Sequence, residues 1–256
     1  MTFDASAEKY DRLVGRYLPE LATAFADAAA IRAEMTVLDV GCGPGGLTRE
    51  LVRRVGADAV AAVDPSRPFV AACRERNPGV DVREAVAEEL PFEDGTFDAA
   101  LASLVVHFMR DAEAGVREMA RVTRPGGVVA ACVWDMTDGM TALRTFWDSA
   151  SALDEDAPDE SRRVGVGEGQ LADLFRAAGL EEVEDGSIRA SAGYADFDDW
   201  WEPFTFGVGP SGAYCVSLEP ERRDALREEC RSRLGDPRGP FRLQARAWFA
   251  RGVPPA

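Results

Sequence analysis

Residues 36–52 read TVLDVGCGPGGLTRELV. An apolar run (Val37, Leu38, Val40) leads into Gly41-Cys42-Gly43-Pro44-Gly45-Gly46, and a helical pattern follows with Leu47, Leu51, Val52 and Val55 on one face. Strand, glycine-rich turn and helix in that order build a ligand site at the edge of an α/β sheet. Glycines admit φ > 0 and close approach of backbone to ligand, and the helix N-terminus aims its free N–H groups at the same place. Gly41, Gly43 and Gly46 also fit the G-x-G-x-x-G dinucleotide fingerprint. The glycines alone therefore leave the ligand open, and a tight turn with no ligand is the plain alternative.

On either side of this stretch the hydrophobic period alternates. Residues 18–33 repeat apolar positions at helical spacing and read as a helix leading into strand 36–41. Helix 46–55, strand 59–64, helix 66–76 and strand 80–86 follow, then strand 97–103, helix 111–122 and strand 127–134, with Asn77-Pro78-Gly79 and Arg124-Pro125-Gly126-Gly127 as breaks. Such alternation implies βαβ units and a parallel sheet with helices on both faces. Beyond Trp134 the pattern predicts a helix over 141–153 and an exposed loop within the polar, acidic stretch 137–163, then a helix at 168–178, a strand at 180–190 and a helix at 219–234. Residues 240–250 alternate as a closing strand. The expected fold is α/β: a Rossmann-like, seven-stranded, mostly parallel sheet whose last strand is antiparallel, with a helical insertion between strands six and seven. The simplest organisation is one domain over 1–256, with N-terminal cap helices at 1–35, a ligand-binding core at 36–135 and a C-terminal part at 136–256.

Composition bounds the rest. The chain has 256 residues, enough for one large α/β domain with a good core. A formal net charge of −16 argues against nucleic acid as partner, since a phosphate backbone calls for a basic patch. No apolar run approaches the ~20 residues of a membrane span, and no signal peptide is evident at the N-terminus. Five scattered cysteines, odd in number and without metal-ligand spacing, read as reduced thiols in a cytoplasmic protein that binds no metal. Lys9 is the only lysine, so a catalytic lysine is not expected.

Three further signals narrow the ligand. Asp64 ends the second predicted strand, where a carboxylate accepts hydrogen bonds from both hydroxyls of a ribose; its other reading is a helix cap before Pro65. The segments Ala87-Glu88-Glu89-Leu90-Pro91-Phe92-Glu93-Asp94-Gly95-Thr96-Phe97-Asp98 and Arg121-Val122-Thr123-Arg124-Pro125-Gly126-Gly127 are more specific than the glycines. Together with VLDVGCGPGG they resemble the class I S-adenosylmethionine-dependent methyltransferases, in particular the small-molecule group that includes the ubiquinone/menaquinone-biosynthesis methyltransferases. The resemblance covers residues 8–135 and fades beyond.

That resemblance implies S-adenosyl-L-methionine as cofactor and assigns roles. Asp39, Gly41, Gly43 and Gly45 would hold the methionine part, Asp64 the ribose, and Pro65 and Ser66 would lie near the adenine. Ala87 and Glu88 would meet the adenine edge, although Val86 stands where relatives carry a polar residue. Ser103 matches a cofactor-touching position, and Tyr10 and Tyr17 match an N-terminal cap that closes over the cofactor; their other reading is helix packing. The acceptor would be a small molecule, apolar or aromatic in part, methylated on oxygen, nitrogen or carbon by a monomer or homodimer.

Methyl transfer from a sulfonium needs an in-line nucleophile, exclusion of water and, for some acceptors, loss of a proton. His107, the only histidine, lies just past strand four at the carboxyl edge, where it is the candidate base near neutral pH; the alternative is a ring packed beside Phe108. Trp134 and Asp135 lie at the same edge. The aromatics of 194–215 are expected to form a lid, about 194–235, or else the core of the insertion. An NAD(P)-dependent oxidoreductase and a non-catalytic S-adenosylmethionine-binding module are the alternative functions.

Overall fold

The apolar period-two runs line up in one sheet, and the amphipathic segments between them cover it. The computed structural model describes residues 7–255. Helices α1 (Ala7–Leu13) and α2 (Leu18–Ala28) precede β1 (Val37–Val40), and α3 (Gly46–Val55), β2 (Val60–Asp64), α4 (Arg67–Arg76) and β3 (Asp81–Glu84) follow. Next come β4 (Phe97–Ser103), α5 (Ala112–Val122), β5 (Thr123–Trp134), α6 (Thr141–Leu153), α7 (Gln170–Ala177) and β6 (Glu181–Tyr194). Helices α8 (Phe197–Trp201), α9 (Gly209–Ser217) and α10 (Pro220–Arg233) form the insertion before β7 (Phe241–Val253).

The strand order is β3-β2-β1-β4-β5-β7-β6. Strands β1 to β5 run parallel, and β7 is antiparallel to both β5 and β6. β1, β2 and the middle of β4 are buried throughout, as expected of strands covered on both faces. In β6 burial alternates from Ile188 to Tyr194, the mark of an antiparallel edge strand with one face in solvent. The chain leaves β1 toward β2 on one side and later returns as β4 on the other. Such a reversal opens a crevice at the carboxyl ends of the central strands, and the glycine turn lies there.

Three segments depart from the pattern read above. α2 stops at Ala28 because Ala30 takes a left-handed φ of 54°, and the Ile31 N–H then bonds the Ala26 carbonyl at 3.0 Å. A non-glycine left-handed turn carries no compositional signal, so periodicity overran it. Second, the loop after α6, expected to be exposed, is not wholly so, since Glu160 is buried. Phe146 and Trp147 of α6 are fully buried. Third, Phe197, Trp200, Trp201 and Phe204 are buried against α6, with the Phe204 ring stacked on Phe146 at 4.5 Å between centroids. These aromatics therefore make the core of the insertion. The part of the insertion that faces the crevice is the 208–211 segment.

The N-terminal segment is docked onto β6 by polar locks. The Arg16 guanidinium donates to both Asp199 oxygens at 3.1 and 3.0 Å and to the Gly193 carbonyl at 3.1 Å. The Tyr17 and Tyr194 hydroxyls meet at 3.0 Å. Glu20 accepts from the Ser191 N–H at 2.7 Å. These bonds place α1 over the carboxyl edge of the sheet.

Candidate functional site

The turn after β1 is held by its neighbours before any ligand is considered. The N–H groups of Gly41 and Cys42 both donate to the Val63 carbonyl, at 2.8 and 2.9 Å. Gly41 has φ +72°, and a Cβ built there would lie 2.3 Å from a Val105 methyl, so any side chain would meet both strain and a clash. Gly45 caps α3 with φ +92°, and a Cβ there would meet the Asn77 amide at 2.2 Å; its smallness serves the packing of α3 on α4.

Asp64, at the end of β2, bridges the two loops. Its Oδ2 accepts the Gly43 N–H at 2.9 Å and its Oδ1 the Ser66 N–H at 2.8 Å. Burial pushes its carboxyl above the usual range, against the pull of those two bonds. Asp39 is more extreme. It is buried beneath the turn, its Oδ2 accepts from the Thr48 hydroxyl at 2.6 Å, and its Oδ1 has no hydrogen-bond partner. Burial drives this carboxyl up to about 7 despite the Thr48 bond.

Above the carboxyl ends of β1, β2 and β4 lies a cavity of about 620 Å³. Tyr10, Gly41, Gly43, Asp64, Pro65, Ser66, Ala87, Glu88 and Ser103 all line it. Tyr17, Asp39 and Gly45 do not. Tyr17 is buried against Tyr194 and the edge of Trp134, and Asp39 and Gly45 sit behind the turn. Glu88 spends one oxygen on the N–H groups of Arg110 and Asp111, at 2.7 and 3.1 Å, which fixes the loop leading into α5. Val86 lies in the wall with its side chain exposed. Sequence reasoning missed Phe69, Val105 and Met109, which also line the cavity and carry no signal beyond apolarity.

A second, smaller cavity of about 60 Å³ adjoins the first. The two share Tyr10, Leu104 and Phe108, and the smaller one continues along His107, Trp134, Met136, Leu143, Glu160 and the 208–211 segment. His107 is half-buried, its Nδ1 is buried and unbonded, and desolvation together with the Arg163 charge presses its pKa down to about 3. The direction of that shift favours the neutral ring at physiological pH and a weaker proton acceptor than a histidine near neutrality. Glu160 was not singled out by the sequence, since its acidic surroundings gave no cue. Asp135, by contrast, turns away into an ion pair with Arg246.

The cavity fits S-adenosylmethionine on three counts that belong to this chain. Its volume is that of a small-molecule site. The turn brings backbone where no side chain has room, and Asp64 presents a carboxylate in the cavity lining. The family described as "Methyltransferase domain" matches residues 38–131. The chain is 32% identical over 179 residues to the ubiquinone/menaquinone biosynthesis C-methyltransferase of Idiomarina loihiensis, covering 62% of this chain and 71% of that protein. It belongs to the class I S-adenosylmethionine-dependent methyltransferases. An uncharacterized methyltransferase of Mycobacterium tuberculosis is 38% identical to this methyltransferase over 138 residues, 54% of each chain, so about half of that relative's length is spanned. A candidate type II methyltransferase from Anaeromyxobacter dehalogenans has the same fold, with a TM-score of 0.67 at 23% identity over 94% of this chain and 97% of that one. Among the described residues no group of three His, Cys, Asp or Glu side chains is arranged to hold a metal, and no helix is long and apolar enough to cross a membrane.

Proposed function

We propose that this methyltransferase moves the methyl group of S-adenosylmethionine to an oxygen, nitrogen or carbon of a small acceptor held in the 60 Å³ cavity. The observation that carries the reading is the shared wall: Tyr10, Leu104 and Phe108 border both cavities, so a group in the smaller one abuts the contents of the larger. When bound, the cofactor supplies a sulfonium-activated methyl.

In this reading Asp64 accepts from the ribose hydroxyls, using the lone pairs that Gly43 and Ser66 leave free. The turn at Gly41 and Gly43, backed by Asp39, takes the methionine part. Pro65, Ser66, Ala87 and Glu88 surround the adenine, and Ser103 and Tyr10 lie toward the reacting end. Gly45 and Tyr17 act behind this shell, one by letting α3 approach α4 and the other by locking the cap to β6. Residues 7–35 and the 208–211 segment cover the acceptor and exclude water, with the aromatics of about 194–235 as their rigid backing; 36–135 forms the cofactor core and 136–255 the acceptor side. His107, neutral and half-buried, orients the acceptor by hydrogen bonding. Catalysis then rests mainly on positioning. The acceptor is apolar in part, as the lining is. A cytoplasmic setting agrees with five free thiols.

The test has two steps. Calorimetric titration with S-adenosylmethionine and with NADH should show binding of the first only. Incubation with methyl-labelled cofactor and a metabolite extract should then yield a labelled small molecule. Binding without any labelled product from a broad extract would favour the non-catalytic module instead, and that class has no need of a covered second cavity.

A further inference from the structure

The smaller cavity is lined mainly by apolar side chains, with Tyr10, His107, Trp134, Ser211 and one carboxylate, Glu160, as its polar points. Glu160 is the single carboxylate among its described lining, and no Arg or Lys side chain lines it. Glu160 is 5% exposed. Its Oε2 accepts the Trp147 indole N–H at 2.9 Å, while its Oε1 has only the Arg163 guanidinium at 3.6 Å, beyond hydrogen-bond range. Arg163 itself is drawn aside, donating to the His107 carbonyl at 3.4 Å and lying over the Phe108 ring. His107 Nδ1 and Trp134 Nε1 are buried in the same wall without partners.

A carboxylate that shares its cavity wall with Leu13, Val14, Met136, Leu143 and Val208 is costly unless its lone pairs are met. Oε2 of Glu160 is taken by Trp147, and Oε1 meets the Arg163 guanidinium at 3.6 Å, which leaves it able to accept a further hydrogen bond from a group in the cavity. We infer that Glu160 selects the acceptor by its head group, taking one that donates hydrogen bonds, a protonated amine or a hydroxyl, and refusing carboxylates and phosphates. This rests on the reading of the small cavity as the acceptor site. A formal net charge of −16 works in the same direction at longer range, repelling anions and drawing cations. Volume adds a size limit. At about 60 Å³ the cavity is well under the ~150 Å³ that holds a benzene ring, so it receives a head group and a few carbons, with any larger body of the acceptor lying outside.

The test uses three molecules that differ only in the head: n-butylamine, n-butanol and n-butyrate. Each is titrated by NMR into the full-length protein saturated with S-adenosylhomocysteine, in the wild type and in Glu160→Gln. Glutamine keeps an oxygen for the Trp147 N–H while removing the charge. The wild type should bind butylamine most tightly, butanol more weakly and butyrate not at all. Glu160→Gln should lower butylamine affinity by about 10–100-fold, the loss of a charge-assisted hydrogen bond, with S-adenosylhomocysteine affinity within a factor of about two. Butyrate binding as tightly as butylamine, no saturable binding of any of the three, or unchanged butylamine affinity in the variant would each overturn the inference. The wild-type ranking stands as a test even where the variant does not fold. Failure of the wild type to bind S-adenosylhomocysteine would overturn the cofactor reading and this one with it; failure confined to the butyl series overturns this one alone.

Discussion

Asp39→Asn should make the cofactor-free protein more stable, most of all above neutral pH. In the fold Asp39 is buried, with one oxygen unbonded and its pKa raised to about 7 by desolvation, against ~3.9 in an unfolded chain. Between those values the folded protein keeps a proton that the unfolded chain gives up. Stability from this group is therefore fully present below about pH 4 and is lost as the pH rises through about 7. A gap of roughly three pH units at ~1.36 kcal/mol each makes the loss about 4 kcal/mol by pH 8. Asparagine preserves an acceptor for the Thr48 hydroxyl and carries no charge to desolvate, so the variant escapes this loss. Urea denaturation of both proteins without cofactor, from pH 5 to pH 8, reads the effect directly. The advantage of Asp39→Asn should be about 1.5 kcal/mol at pH 5 and grow to about 4 kcal/mol at pH 8. Burial also raises Glu160, but both proteins share that group and it cancels in the difference, while the nearby Asp64 charge adds to the penalty that Asp39→Asn relieves. A difference that stays flat with pH, or a variant no more stable than wild type at pH 8, would refute the argument.

Asp64→Ala should weaken cofactor binding by about 1–3 kcal/mol in calorimetry, since it removes a buried acceptor and frees the Gly43 and Ser66 N–H groups; unchanged affinity would remove its ribose role. Gly41→Ala should lower the urea midpoint, with about 1–2 kcal/mol from the φ of +72° and about 1–3 kcal/mol from the collision with Val105, and an unchanged midpoint would mean the turn relaxes freely. For His107 the low pKa predicts an activity profile with no ionisation of this ring between pH 5 and 8, and a loss of about 10–100-fold in His107→Ala. A wild-type break near pH 6.5 that vanishes in the variant would restore it as the base.

Much of the site was legible because the chemistry is local. The run from Val37 through Gly46 sets strand, turn and helix within one stretch, and Asp64 follows at the end of the next strand. Backbone pairing between β1 and β2 then has little choice but to bring Asp64 to Gly43. The cap residue Tyr10 was legible only through resemblance, and its neighbour Tyr17 shows the limit. Both tyrosines look alike in sequence, yet one lines both cavities and the other pairs with Tyr194, some 177 positions away.

The chain by itself determined the layered α/β order, the glycine turn and the acidic strand end, because hydrophobic period and glycine placement act over a few residues. Only the tertiary structure decided what is buried and what is left unpaired. The aromatics of 197–204 became a core because α6 supplied Phe146 and Trp147 to pack on, and the 208–211 segment was left facing the crevice. Glu160 became a polar point in an apolar pocket because the loop after α6 folds back beneath Trp147. His107 lost its basicity and Asp39 its acidity for the same reason. A side chain's pKa is set by desolvation and by charges brought close from distant parts of the chain, and neither is written in its neighbours along the sequence.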